Sequence, residues 1–125
     1  MNQKSRPKHL NLMQIRLPLP GFVSILHRIS GFGMFIMIGV LLGLLSLSVS
    51  SPEGFAQAVE CLTGWFGKLI SLGLVWAFTH HFIAGLRFLL LDIHVGTELA
   101  SARKSSALVL LLSLALTVVI GVAIW

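Results

Sequence analysis

The sequence predicts an all-α integral membrane protein in which three helices cross the bilayer. Three long apolar stretches carry this prediction, at residues 32–49, 69–91 and 107–125. Each is close to the roughly 20 residues that a helix needs to cross the hydrocarbon core. The composition agrees, because 56% of the 125 residues are hydrophobic and only 10% are charged, whereas soluble domains carry about 25% charged residues. Three helices make a thin bundle, and we therefore expect a partner in the membrane.

The positions of the basic residues predict how the chain is oriented. Four of the nine precede the first span, at positions 4, 6, 8 and 16, and Arg103 and Lys104 precede the third. Arg28 and Arg87 lie at the same-side ends of the first two spans, and only Lys68 falls on the other side. Lys and Arg accumulate in cytoplasmic loops, so the N-terminus is predicted to be cytoplasmic. The net charge of +5 thus follows from topology, and we exclude nucleic-acid binding.

The first part of the chain is predicted to be a tail followed by the first span. Residues 1–21 form a basic cytoplasmic tail punctuated by prolines, which is either a solvated arm or a segment that docks on a partner. Span one then covers about 22–48. Within it, Gly39 and Gly43 are four residues apart, a spacing that favours close helix packing.

A short surface helix is predicted between the first two spans. Ser51 and Pro52 are typical of a helix N-cap and first position, and apolar residues follow with helical spacing. This amphipathic helix covers residues 52–62 and lies on the periplasmic side. Span two covers about 65–91 and span three about 106–125, with a cytoplasmic loop before it and Ser105 or Ser106 as its cap. Small residues at every fourth position of span three, Ser113, Thr117 and Gly121, predict a narrow packing face.

Two adjacent histidines in span two are candidate ligands. His81 lies roughly 15 Å from the inner end of its helix, and its helical neighbours Ala77, Ala84 and Gly85 are small. Small neighbours leave room for a flat macrocycle, and neutral imidazole is a common axial ligand of haem iron. A histidine that only hydrogen-bonds a neighbouring helix is the alternative. His80 points about 100° away on the helix, and the residues alone leave the choice between the two histidines open.

A polar group is predicted near the cytoplasmic surface. Ser24, His27 and Arg28 are three and four residues apart, so they share one side of the first helix. The second helix returns to the same surface with Arg87 and Asp92. Such a cluster can hold haem propionates, lipid phosphates or a quinone head group, although each arginine could instead extend to the interface. The absence of an acidic residue in mid-membrane argues against a proton-coupled exporter, and the single cysteine argues against a disulfide within the chain.

Several of these motifs together resemble one family, the cytochrome b membrane-anchor subunit of succinate dehydrogenase, in its bacterial form. The resemblance covers almost the whole chain with matching order and spacing. The residues that carry it are Arg6-Pro7, Leu10, Leu12, Ile15-Arg16-x-Pro18, Ser24-Ile25-Leu26-His27-Arg28-x-Ser30-Gly31, Ser51-Pro52-Glu53-Gly54-Phe55, His81-x-x-x-Gly85-Leu86-Arg87 and Asp92.

The resemblance implies a heterodimeric membrane bundle with a second small three-helix anchor subunit. One haem b would be shared between the two subunits, with one axial histidine from each. The dimer would dock a flavoprotein subunit carrying FAD and an iron–sulfur subunit on the cytoplasmic side of the bacterial inner membrane. Electrons from succinate would then reach ubiquinone near the inner surface, as part of the tricarboxylic acid cycle and the respiratory chain.

The resemblance also implies roles for individual residues. His81 matches the axial ligand of the haem iron, which favours it over His80. Ser24 and Arg28 match the quinone-binding serine and arginine, and Ile25 is expected to line the same pocket. His27 and Arg28 are placed to contact a haem propionate.

One position departs from the family pattern, since Phe88 follows Arg87 where the family usually has a histidine. That histidine is not the axial ligand, so the haem prediction stands. Two alternatives remain at this stage: a fumarate reductase anchor that uses menaquinone, and an anchor without a cofactor that only fixes soluble subunits to the membrane.

Overall fold

The computed structural model describes residues 17–125, and the predicted tail up to residue 16, solvated or docked, lies outside the described residues. Four helices make up this part of the chain, which contains no strand, and the all-α prediction is confirmed. Three of the four helices, α1, α3 and α4, are long and apolar enough to cross a membrane. Their bounds are α1 Leu19–Ser48, α2 Pro52–Thr63, α3 Trp65–Asp92 and α4 Leu99–Ile124.

Helix α1 begins slightly earlier than the sequence predicted. It starts at Leu19 rather than near residue 22, with Pro20 in its first turn and Pro18 at the N-cap. Proline is tolerated there because the first backbone N–H groups of a helix have no intrahelical partner. The two prolines therefore mark the start of the helix and do not delay it.

Helix α2 matches its predicted start. Ser51 is the N-cap, and its Oγ accepts a hydrogen bond from the backbone N–H of Gly54 at 2.9 Å. Pro52 occupies the first turn, as predicted. The apolar stripe of this helix faces the end of α1 across a cavity of about 290 Å³ lined by Leu41, Leu44, Leu45, Ser48, Phe55, Ala58, Val59 and Leu62. The helix thus packs back against the first span.

The turn between α3 and α4 closes with a backbone motif that the sequence did not reveal. His94 has a φ of +63°, and its N–H donates to the carbonyl of Leu91, while the N–H of Val95 donates to the carbonyl of Leu90, both at 2.9 Å. These are the two bonds of a Schellman motif, in which the residue after the C-cap takes the left-handed conformation. His94 therefore ends α3 in a conformation that costs little only for glycine.

The predicted start of the third long helix was wrong. Helix α4 begins at Leu99, with Glu98 as its N-cap, so residues 99–105 are helical and not a loop. Neither Ser105 nor Ser106 caps the helix, because both hydroxyls donate instead to the carbonyl of Ala102. The segment has no proline or glycine to stop a helix, so α4 extends beyond the apolar stretch that hydropathy detects.

The small-residue face predicted for the third span is confirmed. Ser113 and Thr117 are buried, and a Cβ on Gly121 would stand 3.1 Å from Cδ1 of Leu72 in α3. Thr79 of α3 joins this face, since its Oγ1 lies 3.0 Å from Oγ1 of Thr117. Small residues and interhelical hydroxyl contacts are what hold helices together where lipid removes the hydrophobic driving force.

The same packing prediction does not hold within the chain for α1. A Cβ on Gly39 or Gly43 would meet nothing within 4 Å, so these glycines contact no other helix among residues 17–125. The buried apolar core that the three long helices do share is small, consisting of Val23, Ala84 and Val109. Most of the large apolar side chains of α1 are exposed and are left for lipid or for another chain.

Candidate functional site

Two histidine rings from different helices are stacked where α1 and α3 meet. The ring centroids of His27 and His81 are 4.0 Å apart, and the ring planes are inclined by only 10°. Both rings are half-buried. The structure thus brings together two residues that the sequence placed in separate predictions.

Hydrogen bonding fixes the tautomer of His81. Its Nδ1 lies 2.9 Å from the backbone carbonyl oxygen of His27, and a carbonyl oxygen can only accept. The ring hydrogen therefore resides on Nδ1 in the neutral imidazole, and the lone pair remains on Nε2. No residue between 17 and 125 makes a hydrogen bond to that Nε2. A neutral imidazole held in this way is typical of a metal-ligating histidine.

Ser30 is the second polar group at Nδ1 of His81. Its side chain is only 2% exposed, and its hydroxyl donates to the carbonyl of His27 at 2.9 Å. The same Oγ lies 3.3 Å from Nδ1 of His81. The ring hydrogen thus faces two oxygen acceptors, one from the backbone and one from a side chain.

Glycine lets the two helices approach closely enough for these contacts. A Cβ on Gly31 would stand 2.7 Å from Cε1 and 3.1 Å from Nδ1 of His81, which leaves no room for a methyl group. On the facing helix, a Cβ on Gly85 would stand 3.7 Å from Nε2 of His27, an ordinary contact distance. Gly31 is therefore the position that admits the His81 ring.

An aromatic side chain stands where the resembling family usually has histidine. The ring of Phe88 meets the ring of His27 edge-on, with centroids 5.1 Å apart. The guanidinium carbon of Arg87 lies over the Phe88 ring, 5.5 Å from its centroid. Phe88 thus presents an apolar ring to His27, whereas an imidazole at this position would present polar nitrogens.

Arg87 does not face the cluster in which the sequence placed it. Its Nε donates to Oγ of Ser105 at 2.9 Å, and one terminal nitrogen donates to the carbonyl of Ala102 at 3.3 Å. Only 6% of the residue is exposed, because the side chain is directed into the contact between α3 and α4. The guanidinium instead ties α3 to the first turns of α4, where the Ser105 hydroxyl and the Ala102 carbonyl both accept from it.

His80 is completely buried and makes no hydrogen bond. Its exposure is 0%, and neither ring nitrogen has a partner among residues 17–125. The backbone of Val23 lies near the ring without reaching hydrogen-bond geometry. The ring stacks on Trp76, with centroids 5.3 Å apart.

The remaining predicted site residues, three on α1 and one on α3, make no hydrogen bonds with one another or with the histidine pair within residues 17–125. Ser24 and Ile25 are half-buried and Arg28 is exposed. Asp92 ends α3 and is also exposed. In the part of the chain that the structure describes, no hydrogen bond joins these four side chains to one another or to the histidine pair.

The sequence reasoning missed what Ser30 and Gly31 do and misread Ala84. It looked for small residues beside His81 on its own helix, but Ala84 lies in the core with Val23 and Val109. The small residues that matter are on the facing helix, three and four positions after His27. Residues with that spacing lie on the same side of a helix as His27. The spacing could therefore have identified Ser30 and Gly31 as neighbours of the His27 site.

His81 offers the lone pair of its Nε2, and the number of other potential ligands nearby limits which metal chemistry is available. Residues 17–125 contain no group of three or more His, Cys, Asp or Glu side chains that could enclose a metal ion. A complete metal cage from this part of the chain is therefore excluded. A single imidazole fits a metal that is held mainly by a prosthetic group.

Comparison with known proteins gives a consistent result. Residues 2–120 match the family described as succinate dehydrogenase/fumarate reductase transmembrane subunit. A succinate dehydrogenase cytochrome b556 subunit of Paracoccus denitrificans is 38% identical over 106 residues, which cover 85% of this chain and 82% of that protein. The subunit of the same name from Coxiella burnetii is 34% identical over the full length of both chains. One from Rickettsia felis is 26% identical over 94% of this chain and 91% of that protein.

Proposed function

Because the chain belongs to the succinate dehydrogenase/fumarate reductase transmembrane subunit family, we propose that it is the cytochrome b anchor of a bacterial succinate:ubiquinone oxidoreductase. In this role it fixes the flavoprotein and iron–sulfur subunits to the inner membrane. It also supplies one ligand to haem b and part of a quinone-reduction site. The dicarboxylate and flavin sites belong to the partner subunits.

The observation that supports haem binding most directly is the orientation of the His81 ring. Its Nδ1–H points at the carbonyl of His27, so the basic Nε2 is the nitrogen left for iron. When bound, haem b supplies a one-electron carrier. This chain holds the His81 imidazole, which would bind the iron, in one tautomer and one orientation through His27, Ser30 and Gly31. As the resemblance implies, a second ligand to the iron would come from the second three-helix anchor subunit.

The stacked ring of His27 supports its proposed place beside the haem edge. It lies directly against the ligand ring, while the next residue, Arg28, is exposed and able to reach a propionate. A guanidinium binds a carboxylate through two parallel hydrogen bonds. His27 and Arg28 are therefore the proposed propionate contacts of this chain.

The proposed quinone site uses Ser24, Ile25 and Arg28, which lie within about one turn of α1. The serine hydroxyl can donate to a quinone oxygen, and Ile25 offers an apolar wall. Arg28 stabilises the negative charge that develops as the quinone is reduced. Its exposure in the single chain leaves the guanidinium available at a surface that the iron–sulfur and second anchor subunits would enclose.

The haem assignment is tested by making the same substitution at two neighbouring positions. We expect His81→Phe to abolish the haem b signal in the reduced-minus-oxidised visible spectrum of the purified complex, because no lone pair replaces Nε2. His80→Phe should retain the signal. The reverse result would make His80 the ligand. A wild-type complex that assembles without any haem b signal would identify a cofactor-free anchor.

The quinone assignment is tested by comparing two electron acceptors. Ser24→Ala and Arg28→Leu should lower succinate–quinone activity, about tenfold or more for Arg28 because a hydrogen bond to a charged group is worth roughly 1.5–3 kcal/mol. Reduction of an artificial dye directly by the soluble subunits should be unchanged. Equal loss of both activities would show failed assembly and contradict the proposed role.

The family description favours one second candidate, since it names fumarate reductase beside succinate dehydrogenase. In that role the complex would oxidise menaquinol and reduce fumarate. The names of the relatives favour succinate oxidation. Comparing succinate–ubiquinone with menaquinol–fumarate turnover in one preparation separates the two.

A further inference from the structure

We propose that Ser30 is a positioning residue that tunes the haem through Nδ1 of His81. This inference rests on the proposed ligation of haem by His81 and gives a role to Ser30, for which the resemblance implied none. Ser30 does not reach the iron. Its hydroxyl lies at Nδ1 of His81, and the other ring nitrogen, Nε2, is the one that would bind the iron.

The Ser30 hydroxyl lies between the backbone of its own helix and the imidazole of the facing helix. Ser30 is 2% exposed, and its Oγ is within hydrogen-bonding range of both the His27 carbonyl and Nδ1 of His81, at 2.9 and 3.3 Å. The carbonyl can only accept, so the serine hydrogen goes to it and the serine lone pairs face the ring. The Nδ1–H is therefore shared between two acceptors.

This sharing has an electronic consequence for the ligand. An acceptor at Nδ1 draws the ring hydrogen outward and makes the opposite nitrogen more basic. A more basic Nε2 stabilises the more positively charged, oxidised iron. Ser30 thereby lowers the haem potential relative to a site with the backbone carbonyl alone.

The arrangement also restrains the ring in space. Gly31 touches the same imidazole edge, and the stacked His27 ring covers one face. Ser30 links His27 and Gly31, because its hydroxyl donates to the backbone carbonyl of His27 and it directly precedes Gly31. One turn of α1 thus holds the ligand of α3, and loss of the hydroxyl should loosen the hold.

Another serine of the same helix provides a matched control. Ser48 donates to the carbonyl of Leu45, also three residues back, at 2.8 Å. Ser30→Ala and Ser48→Ala therefore remove the same local helix bond, and only the first removes an acceptor from His81. Ser30→Thr retains the hydroxyl and serves as the conservative variant.

The experiment measures three properties of the purified complex. They are the midpoint potential of haem b by redox titration, the low-spin EPR signal of the haem, and the haem content. For Ser30→Ala we expect a more positive midpoint potential. At a fixed ambient potential, the ratio of reduced to oxidised haem should therefore rise severalfold. A tenfold rise would correspond to about 59 mV for a one-electron couple. We also expect an altered EPR signal and roughly tenfold weaker haem retention, the usual cost of losing a partner behind a metal ligand.

The outcomes separate this inference from the proposed function. Ser48→Ala should match the wild-type protein, and Ser30→Thr should restore the potential. An unchanged potential and EPR signal in Ser30→Ala would overturn the role of Ser30, while loss of haem in His81→Phe would still support the ligand. Haem that persists in His81→Phe would overturn the ligand assignment itself. An equal shift in both alanine variants would show a general effect on α1 and contradict the proposal.

Discussion

A Cβ on Gly31 would stand 2.7 Å from Cε1 of His81, so the backbone of α1 touches the imidazole of α3 with no space for a methyl group. This contact determines how close the two helices come. It also determines which edge of the His81 ring faces α1, and hence which nitrogen is bonded to the carbonyl of His27.

The contact predicts the effect of adding one carbon atom. Gly31→Ala should push the His81 ring away from the His27 carbonyl, at a cost of about 1–3 kcal/mol for overpacking. We expect the haem b absorbance of the purified complex to fall sharply. Gly33→Ala is the control, since a Cβ there meets nothing within 4 Å among residues 17–125. Normal haem content in Gly31→Ala would show that α1 can move aside freely.

The buried histidine makes a prediction about stability. Neither nitrogen of His80 has a hydrogen-bond partner in the described part of the chain, and leaving buried polar groups unpaired costs about 1–3 kcal/mol. His80→Phe keeps an aromatic ring against Trp76 and removes that cost. The variant complex should unfold at the same temperature as the wild type or a higher one. A marked fall would mean that the nitrogens have a partner outside this chain's described residues.

The Arg87 side chain predicts how α4 is held. Arg87→Lys keeps the charge but loses the planar fork, so the bonds to Ser105 and Ala102 cannot both persist. We expect a lower thermal unfolding temperature for the membrane anchor, and a smaller fall, worth about 1 kcal/mol, for Ser105→Ala.

A double-mutant cycle checks that this effect belongs to the pair. If Arg87 acts through Ser105, Ser105→Ala should have little further effect in the Arg87→Lys background. Fully additive effects would show that the guanidinium stabilises the fold through other contacts.

The turn after α3 predicts a stabilising substitution. His94 has a φ of +63°, and the left-handed conformation costs a residue with a Cβ about 1–2 kcal/mol. His94→Gly should therefore stabilise the turn by about 0.5–1 kcal/mol after allowing for the greater chain entropy of glycine. Thermal unfolding of the complex measures it. His94→Ala, which keeps the backbone cost, should show no gain, and an equal gain in both would attribute the effect to the lost imidazole.

The sequence by itself determined the features that depend on local order. Apolar stretches of membrane length gave the three long helices, Ser51 gave the cap of α2, and the four-residue spacing of Ser113, Thr117 and Gly121 gave the packing face of α4. These predictions succeeded because hydropathy, capping and helical periodicity are properties of neighbouring residues. The start of α4 was wrong for the same reason, since hydropathy does not see a polar helical turn outside the apolar stretch.

Only the tertiary structure decided where individual side chains on different helices meet. Arg87 was predicted beside Arg28, yet its guanidinium donates to Ser105 and Ala102 of α4. The rotation of α3 about its axis turns this side chain toward α4. Rotation and register of α1 against α3 likewise place the carbonyl of His27 at Nδ1 of His81. That relationship joins residues 54 positions apart, and it is fixed by close packing at Gly31 and not by any local pattern.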